Sequence, residues 1–214
     1  MNLQRATTPH ALAVLAGVLL LSGCVTEGTA QPAPTGDVVR STSSTPPGIR
    51  QTDDNGVKLP FTTTFPRRWN SGNDGTAYEP CNGASRQALK DSGLDVSSAE
   101  DAAAADFQTA RGCVWKYKEH EYAMLSQTVG NADGLDAYKE QYSVSVRWQG
   151  ETSLGGRRVA IGGAPGGKTC ETFVASGSAI VITSAYFPAS APPIDEICDK
   201  AITFTRATID QMPR

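Results

Sequence analysis

An unbroken apolar segment near the amino terminus constrains this chain more than any other feature of its 214 residues. The segment runs from Ala11 to Leu21 and follows a short polar stretch that carries Arg5. A helix of this length spans roughly 16 Å, about half of the hydrocarbon core of a bilayer, so it is too short to cross a membrane. Such a length after a positively charged flank is typical of a signal peptide. The sequence therefore predicts export from the cytosol.

The apolar segment ends in Leu21-Ser22-Gly23-Cys24, which resembles the bacterial lipobox. In lipobox signals the cysteine thiol receives a diacylglyceryl group, and a peptidase then cuts just before the cysteine. The resemblance implies a signal peptide over residues 1–23 and a mature chain that begins at acylated Cys24. Two acyl chains anchor a protein stably, whereas one chain anchors it only marginally. We expect a protein held at the outer face of the plasma membrane; the alternative is an ordinary secretory signal with a cysteine nearby by chance.

Export makes the other four cysteines candidates for disulfide bonds. An even number of cysteines outside the cytosol is typical of two disulfides, and no two of them have the close spacing of zinc ligands. Cys81 and Cys198 lie on the apolar faces of predicted helices, whereas Cys113 and Cys170 lie on the inward faces of predicted strands. We therefore predict the pairs Cys81–Cys113 and Cys170–Cys198. The alternative is that some of the four remain free buried thiols.

A change of composition separates a predicted tether from a predicted domain. Residues 24–57 comprise the lipidated cysteine and a stretch rich in Pro, Ser, Thr and Gly without an apolar period, which indicates a disordered tether. The domain begins at Lys58-Leu59-Pro60-Phe61 and covers residues 58–214. It carries 16 Lys and Arg against 18 Asp and Glu, a net charge of −2, so nucleic acid is not an expected partner. A chain of this length can bury a single core without help.

Hydrophobic periodicity predicts an α+β domain in which helices pack on an antiparallel sheet. The predicted helices cover residues 81–90, 98–106, 133–142 and a terminal segment opened by Pro192-Pro193. The predicted strands cover residues 112–118, 121–129, 143–149, 157–162, 169–175 and 178–186.

The whole domain, roughly residues 58–212, also carries motifs of a known family. These motifs are Trp69-Asn70, Asn73-Asp74-Gly75-Thr76, Tyr78-Glu79-Pro80-Cys81, Arg111-Gly112-Cys113-Val114-Trp115, Cys170 and Cys198-Asp199-Lys200-Ala201. Together they resemble a family of actinobacterial lipoproteins that is described only as a domain of unknown function. The resemblance implies a lipid-anchored envelope protein with two disulfides from a mycobacterium-like organism. It supplies no activity, substrate or catalytic residue.

One glycine-rich segment matches the spacing of a P-loop. Gly162 to Thr169 satisfies the pattern G-x-x-x-x-G-K-[ST] and follows a predicted strand. A P-loop must continue into a helix whose first amides hold the phosphates. Here the following residues, 170–174, have the pattern of a strand. We therefore predict a glycine-rich hairpin loop and no nucleotide binding.

Other catalytic arrangements lack the residues they need. His120 is the one histidine that follows the predicted signal peptide, and it lies at a predicted hairpin tip. The sequence contains no G-x-S-x-G elbow, and nothing in it places two carboxylates across one cleft. Two histidines in the whole chain are too few for a multi-histidine metal centre. We predict no catalytic residue, no metal and no cofactor.

An aromatic segment at the start of the domain is the candidate recognition surface. Phe61, Phe65, Trp69 and Tyr78 alternate with arginine and asparagine, a mixture that suits contact with a protein or a glycan. The alternative is that these rings pack an irregular segment onto the sheet. We expect a non-catalytic binding or scaffolding module that contacts an envelope protein, glycan or lipid. The alternatives are an envelope hydrolase or transferase with a carboxylate cleft, and a lipid carrier with an apolar cavity between sheet and helices.

Overall fold

Residues 48–214 are the part of the chain that the computed structural model describes. The predicted signal peptide over residues 1–23, Cys24 and the predicted tether up to residue 47 lie outside the described residues. In chain order the helices and strands are α1 (Pro80–Gly83), α2 (Arg86–Asp91), β1 (Glu100–Asp101), β2 (Arg111–Lys116), β3 (Met124–Asn131), α3 (Leu135–Gln141), β4 (Arg147–Leu154), β5 (Arg157–Gly163), β6 (Thr169–Ser176), β7 (Ala179–Tyr186) and α4 (Ile194–Thr208), with 3-10 turns at Val96–Ser98 and Ile209–Gln211.

The described strands form one antiparallel sheet in the order β1-β2-β3-β7-β6-β5-β4. Helices pack against this sheet, so the predicted α+β class is confirmed. None of the described helices has the length and apolarity that crossing a membrane requires.

The main core lies between the sheet and α4. Pro192-Pro193 precedes this helix, as the sequence predicts, because proline has the backbone angle that a helix start requires. The apolar stripe of α4 includes Ile197, Ala201 and Phe204, all fully buried. The ring centroid of Phe204 lies 5.6 Å from that of Trp115 in β2. The terminal helix therefore packs across the centre of the sheet.

A layer of hydrogen-bonded polar side chains fills part of this core. The Tyr78 hydroxyl donates to Gln127 Oε1 at 2.6 Å. Gln127 Nε2 in turn donates to Thr183 Oγ1 at 2.9 Å and to Thr208 Oγ1 at 3.1 Å. Thr205 Oγ1 donates to Thr183 Oγ1 at 3.0 Å. Because each side chain has a partner, burial of this layer leaves no unpaired polar group at these positions.

The opposite face of the sheet is covered in part by α3. Successive strand residues point to opposite faces, so Val181 joins the core beside α4 while Ile180 joins the cluster beside α3. That second cluster contains Phe173, whose ring lies 5.6 Å from Tyr138 of α3 and 4.8 Å from Trp148 of β4. Both faces of the sheet therefore bury apolar side chains.

A surface ion network joins α3 to the β4–β5 hairpin. Arg158 donates to both carboxylate oxygens of Glu151 at 2.9 Å and also to Asp136. These hydrogen bonds, with one from Lys139, lower the pKa of Glu151 to about 2. Since this pKa lies below the ordinary value of about 4.3, the ionised carboxylate stabilises the fold at neutral pH. That contribution is lost as the pH falls towards 2.

The pKa of Glu151 is therefore expected to rise towards the ordinary range in Arg158→Gln, because the variant removes the main donor. Carboxyl NMR titration measures both midpoints. Arg206→Gln, a similar change on α4, is the control and is expected to leave the midpoint unchanged. An ordinary midpoint in the unaltered protein would contradict this prediction.

Two disulfides join helices to strands. Cys81 in α1 is bonded to Cys113 in β2 with a Cα–Cα distance of 5.1 Å. Cys170 in β6 is bonded to Cys198 in α4 with a Cα–Cα distance of 4.9 Å. These are the pairs that the helix and strand faces predict.

Two helix predictions differ from the structure. The segment 81–90 forms two short helices, and Ser85 begins the second by accepting a hydrogen bond from the Ala88 amide. The helix predicted over 98–106 is wrong, because Glu100–Asp101 pairs with β2 as a short strand. Asp101 accepts hydrogen bonds from the buried Arg68 guanidinium, a contact between residues far apart in sequence. Long-range contacts have thus overridden a local helix pattern.

The remaining predicted elements lie within three residues of the observed bounds, except for the strand predicted over 143–149. That strand begins later, at Arg147, because residues 143–146 form the turn that follows α3.

The domain also extends further towards the amino terminus than predicted. Residues 50–57, assigned from composition to the tether, contact the domain in the structure. Gln51 exchanges hydrogen bonds with the backbone of Thr63, and buried Asp53 accepts one from Asn82. Polar side chains hold this segment, which is why it shows no apolar period.

Candidate functional site

Four charged side chains form a buried cluster beside the disulfide that joins α1 to β2. Arg68 and Arg111 are only 2% and 1% exposed. Both donate through Nη1 to Glu79 Oε2 at 2.9 Å, and Arg68 Nη2 also donates to Glu79 Oε1 at 3.0 Å. Arg68 Nε donates to both oxygens of Asp101 at 3.1 Å. Two positive and two negative charges balance, as burial of ions requires.

The two guanidinium groups also donate to three backbone oxygens, and Arg68 Nη2 donates to Cys81 Sγ at 3.3 Å. Arg68 Nη2 donates to the Gly112 carbonyl at 3.1 Å. Arg111 donates through Nε to the Asn73 carbonyl at 3.2 Å and through Nη2 to the Thr76 carbonyl at 2.8 Å. The cluster therefore fastens the irregular segment before α1 to β2.

Burial and ion pairing act in opposite directions on the two arginines. Burial by itself lowers the pKa of Arg68, but hydrogen bonds and attraction from Glu79 and Asp101 outweigh it, so the pKa is raised. The pKa of Arg111 is lowered, first by burial and also by repulsion from Arg68. Both carboxylates of the cluster are fully engaged as acceptors, which makes the cluster a structural feature and not a general acid or base.

This cluster is absent from the predictions made from the sequence, although one signal for it is present there. Arg111 precedes Cys113 by two residues in a strand, so the two side chains share a face. Because that face is apolar and buried, an arginine on it needs a buried carboxylate as its partner. The identity of the partner, Glu79, could not be read from local spacing, since it lies 32 residues away.

The four aromatic residues proposed as a recognition surface lie in different environments. Tyr78 is 4% exposed and donates to Gln127 in the core. Phe61 and Trp69 are partly buried and pack against the main core, and the Arg68 guanidinium lies 4.5 Å from the Trp69 ring centroid. Phe65 is also partly buried. The four rings therefore do not form one exposed surface, and most of their area packs the irregular segment onto the sheet.

The glycine-rich segment with P-loop spacing is the loop between β5 and β6. These strands are antiparallel neighbours, and the residues after Lys168 form β6 and not a helix. Gly166 and Gly167 have φ values of 118° and 70°, which glycine adopts without strain. Lys168 Nζ donates to the Pro188 carbonyl at 2.8 Å. The predicted hairpin loop is confirmed.

A polar cavity of about 230 Å³ lies beside the turn between β2 and β3. Its lining residues are Lys90, Gly93, Tyr117, Lys118, Glu119, His120 and Lys200. Lys90 lies in the last turn of α2, Tyr117 to His120 belong to the turn, and Lys200 comes from α4. Three separate elements therefore bring the three lysines together, and no local pattern in the sequence predicts this.

Aromatic rings form part of this region, which we call the hairpin cavity. Lys200 Nζ lies 5.3 Å from the ring centroid of Tyr117 and 5.9 Å from that of Phe187. His120 stands edge-on to Phe187 with centroids 5.2 Å apart, and it is partly buried where the sequence indicated an exposed tip. Within residues 48–214 the His120 side chain has no hydrogen-bond partner. In the described part of the chain, no hydrogen bond therefore orients this imidazole as catalysis by a histidine requires.

The fold and these sites define a disulfide-bonded α+β domain with a neutral, buried ion cluster and a lysine-lined surface cavity. The chain belongs to the family described as "Protein of unknown function (DUF3558)", whose model matches residues 19–211. The match includes Cys24 and both disulfides. No curated protein and no solved structure matches the chain.

Proposed function

We propose that this protein is a lipid-anchored component of the cell envelope whose domain is a non-catalytic binding or scaffolding module outside the plasma membrane. The observation that carries the proposal is that all four cysteines of the domain are paired. Disulfides persist in oxidising compartments and are rare in the cytosol. Both bonds support export, and the lipobox-like sequence at Cys24 supplies the means of attachment.

Family membership supports the same proposal. The family model begins at residue 19, so the match contains the residues that surround Cys24. We infer from the lipobox and from the family resemblance that the chain is an actinobacterial lipoprotein with residues 1–23 removed.

The described carboxylates support a binding role over a hydrolytic one. Glu196 and Asp199 line one cavity of about 270 Å³, but both belong to the same face of α4. A glycosidase needs its two carboxylates on opposite sides of the bond that is cleaved. The larger cavity between α2 and α4, about 400 Å³, has one carboxylate, Asp91, which accepts a hydrogen bond from Gln87. Neither cavity offers opposed carboxylates.

A further cavity, of about 240 Å³, is lined by Asp53 and Glu79. Asp53 accepts a hydrogen bond from Asn82, and Glu79 accepts hydrogen bonds from Arg68 and Arg111. These bonds hold both carboxylates in place, which favours a structural role for the pair.

Glu171 is the described carboxylate whose pKa is raised, and burial is the main cause. A raised pKa is a feature of some catalytic acids. Its partners across the sheet are Gly162 and Ser184, so no second titratable group faces it from the neighbouring strands. Glu171 is therefore a partly buried acid, and burial together with the charge of Glu171 raises the pKa of the nearby Tyr138 hydroxyl.

The packing between the sheet and α4 argues against a lipid carrier. A carrier of this kind needs an apolar cavity at that place. The layer that joins Gln127 to the threonines of β7 and α4 fills the space with bonded side chains.

Cys24→Ala is expected to move the protein from the membrane fraction to the medium, because the variant loses both acyl chains and about 0.8 kcal/mol for each buried CH₂ group. Fractionation of cells followed by immunoblotting measures the change. Ser44→Ala, a small substitution in the predicted tether, is the control and is expected to remain in the membrane fraction. Retention of Cys24→Ala in that fraction, or a free thiol at Cys24 in native protein, would refute the anchor.

A further inference from the structure

We propose that the hairpin cavity binds a phosphate group, either as free phosphate or as the headgroup of a phospholipid. This inference rests on the proposed binding function and names the ligand class for one site. It depends on three properties of the cavity: its lysines, one buried hydroxyl group and its size.

The three lysines of the cavity have no ion pair or side-chain hydrogen bond among the described residues, whereas most other described lysines have one. Lys116 and Lys139 form ion pairs, and Lys168 donates to a carbonyl oxygen. The described lysines whose ammonium group has neither an ion pair nor a hydrogen bond are Lys58, Lys90, Lys118 and Lys200. Three of these four line the hairpin cavity.

The lining residues give the cavity a positive charge. The three ammonium groups are opposed by the carboxylate of Glu119. A concave surface with an excess of one sign of charge raises the local concentration of the opposite ion. Lysine acts as a point charge with three rotatable donors, which suits the tetrahedral oxygens of phosphate; arginine is the residue that favours planar carboxylates through paired hydrogen bonds.

The hydroxyl of Tyr117 is the second observation that points to a ligand. Tyr117 lines the cavity, is 6% exposed, and its hydroxyl oxygen is buried without a hydrogen-bond partner among residues 48–214. A buried polar group without a partner is uncommon and unfavourable. Burial raises the pKa of Tyr117, so at neutral pH the group is a hydroxyl and can donate. Because this oxygen is buried, a phosphate oxygen accepts its hydrogen bond only when the Tyr117 ring shifts to open the hydroxyl to the cavity.

The size and floor of the cavity fit a compact anion. A volume of about 230 Å³ is below the usual range of about 300–1,000 Å³ for drug-sized ligands. Lys200 is held over the rings of Tyr117 and Phe187, which restrains the ammonium group without neutralising it. The site therefore has room for a single phosphate group, with the rest of a larger ligand outside.

The test is calorimetric titration of the full chain, purified in detergent micelles, at constant ionic strength. The probes are inorganic phosphate and glycerophosphoglycerol, a phosphodiester headgroup without acyl chains. Saturable binding is expected, and Lys118→Gln and Lys200→Gln are each expected to weaken it about tenfold. Lys58→Gln removes the same charge outside the cavity and is expected to change the affinity less than about twofold.

Tyr117→Phe separates a binding role from a structural one. The variant is expected to bind phosphate about tenfold more weakly, because a charge-assisted hydrogen bond is lost. Its thermal stability without phosphate is expected to equal or exceed that of the unaltered protein, since the hydroxyl has no partner to lose. Reduced stability with unchanged affinity would overturn the assignment of Tyr117 as a ligand-binding residue.

The outcomes of the titration distinguish free phosphate from a lipid headgroup, and they separate this inference from the proposed membrane location. Binding of inorganic phosphate supports a free anion, and binding of the phosphodiester alone supports a lipid headgroup. No saturable binding of either probe, or equal weakening in Lys58→Gln and Lys200→Gln, overturns the site. A chain that is membrane-anchored through Cys24 but binds neither probe would refute this inference alone. A chain that binds phosphate but is not anchored would refute the proposed location alone.

Discussion

Glutamine in place of Glu79 is expected to lower the free energy of unfolding by about 3–5 kcal/mol. Glu79 accepts hydrogen bonds from both buried arginines, and its charge balances them together with Asp101. The variant leaves two guanidinium groups with one carboxylate, so the buried cluster carries an uncompensated positive charge. The new amide group also points its N–H donors at the N–H donors of the two guanidinium groups, so these groups cannot form hydrogen bonds with each other. Each effect raises the free energy of the folded state and neither has a counterpart in the unfolded chain.

Urea unfolding followed by tryptophan fluorescence measures this loss. Glu100→Gln is the matched control, because its ion pair with Lys116 is 63% and 62% exposed and is expected to contribute at most about 1 kcal/mol. Asp101→Asn is expected to lie between the two variants, since Asp101 contacts Arg68 but lies nearer to solvent. A loss below about 1 kcal/mol in Glu79→Gln would show that the buried charge is solvated and would contradict the prediction.

The strands, the terminal helix and the cysteine pairs could be predicted because each depends on a local pattern. Alternation places Cys113 and Trp115 on one strand face, and the helical period places Cys198 and Ala201 on one helix face. Once each cysteine is assigned to a helix face or a strand face, each half of the domain contains one helical cysteine and one strand cysteine, which are then paired. Patterns of this kind are visible in windows of about 11–18 residues, so they do not depend on contacts between distant parts of the chain.

The charged cluster and the hairpin cavity could not be predicted in the same way. Arg68 and Asp101 are 33 residues apart, and nothing in the sequence between them indicates the contact. That contact also explains the wrong helix over 98–106, where serine and acidic residues imitate a helix start. The cavity forms where the last turn of α2, the turn between β2 and β3 and the middle of α4 meet. Only the tertiary structure therefore shows that its three lysines lie together.

Removing the disulfide between α1 and β2 by Cys81→Ala with Cys113→Ala is expected to cost about 3–4 kcal/mol. The bond closes a loop with a sequence separation of 32, and its loss increases the conformational entropy of the unfolded chain. The effect is expected to be localised as well. Residues 48–91 contain only short helices, and this bond and the Arg68 cluster tie them to β2, whereas residues 93–98 have backbone hydrogen bonds of their own to the end of β2.

The double variant Cys170→Ala with Cys198→Ala is the matched comparison. Its loop has a similar sequence separation of 28, so the entropic loss is also expected to be about 3–4 kcal/mol. However, β6 is bonded to strands on both sides and α4 packs along the core, so local order there does not depend on the bond. Hydrogen exchange is therefore expected to show lost protection across residues 48–91 in the first variant, and no loss confined to α4 in the second. Equal loss of protection throughout the domain in both variants would mean that the first disulfide acts on the unfolded chain alone, and that the buried ion cluster is sufficient to hold the segment.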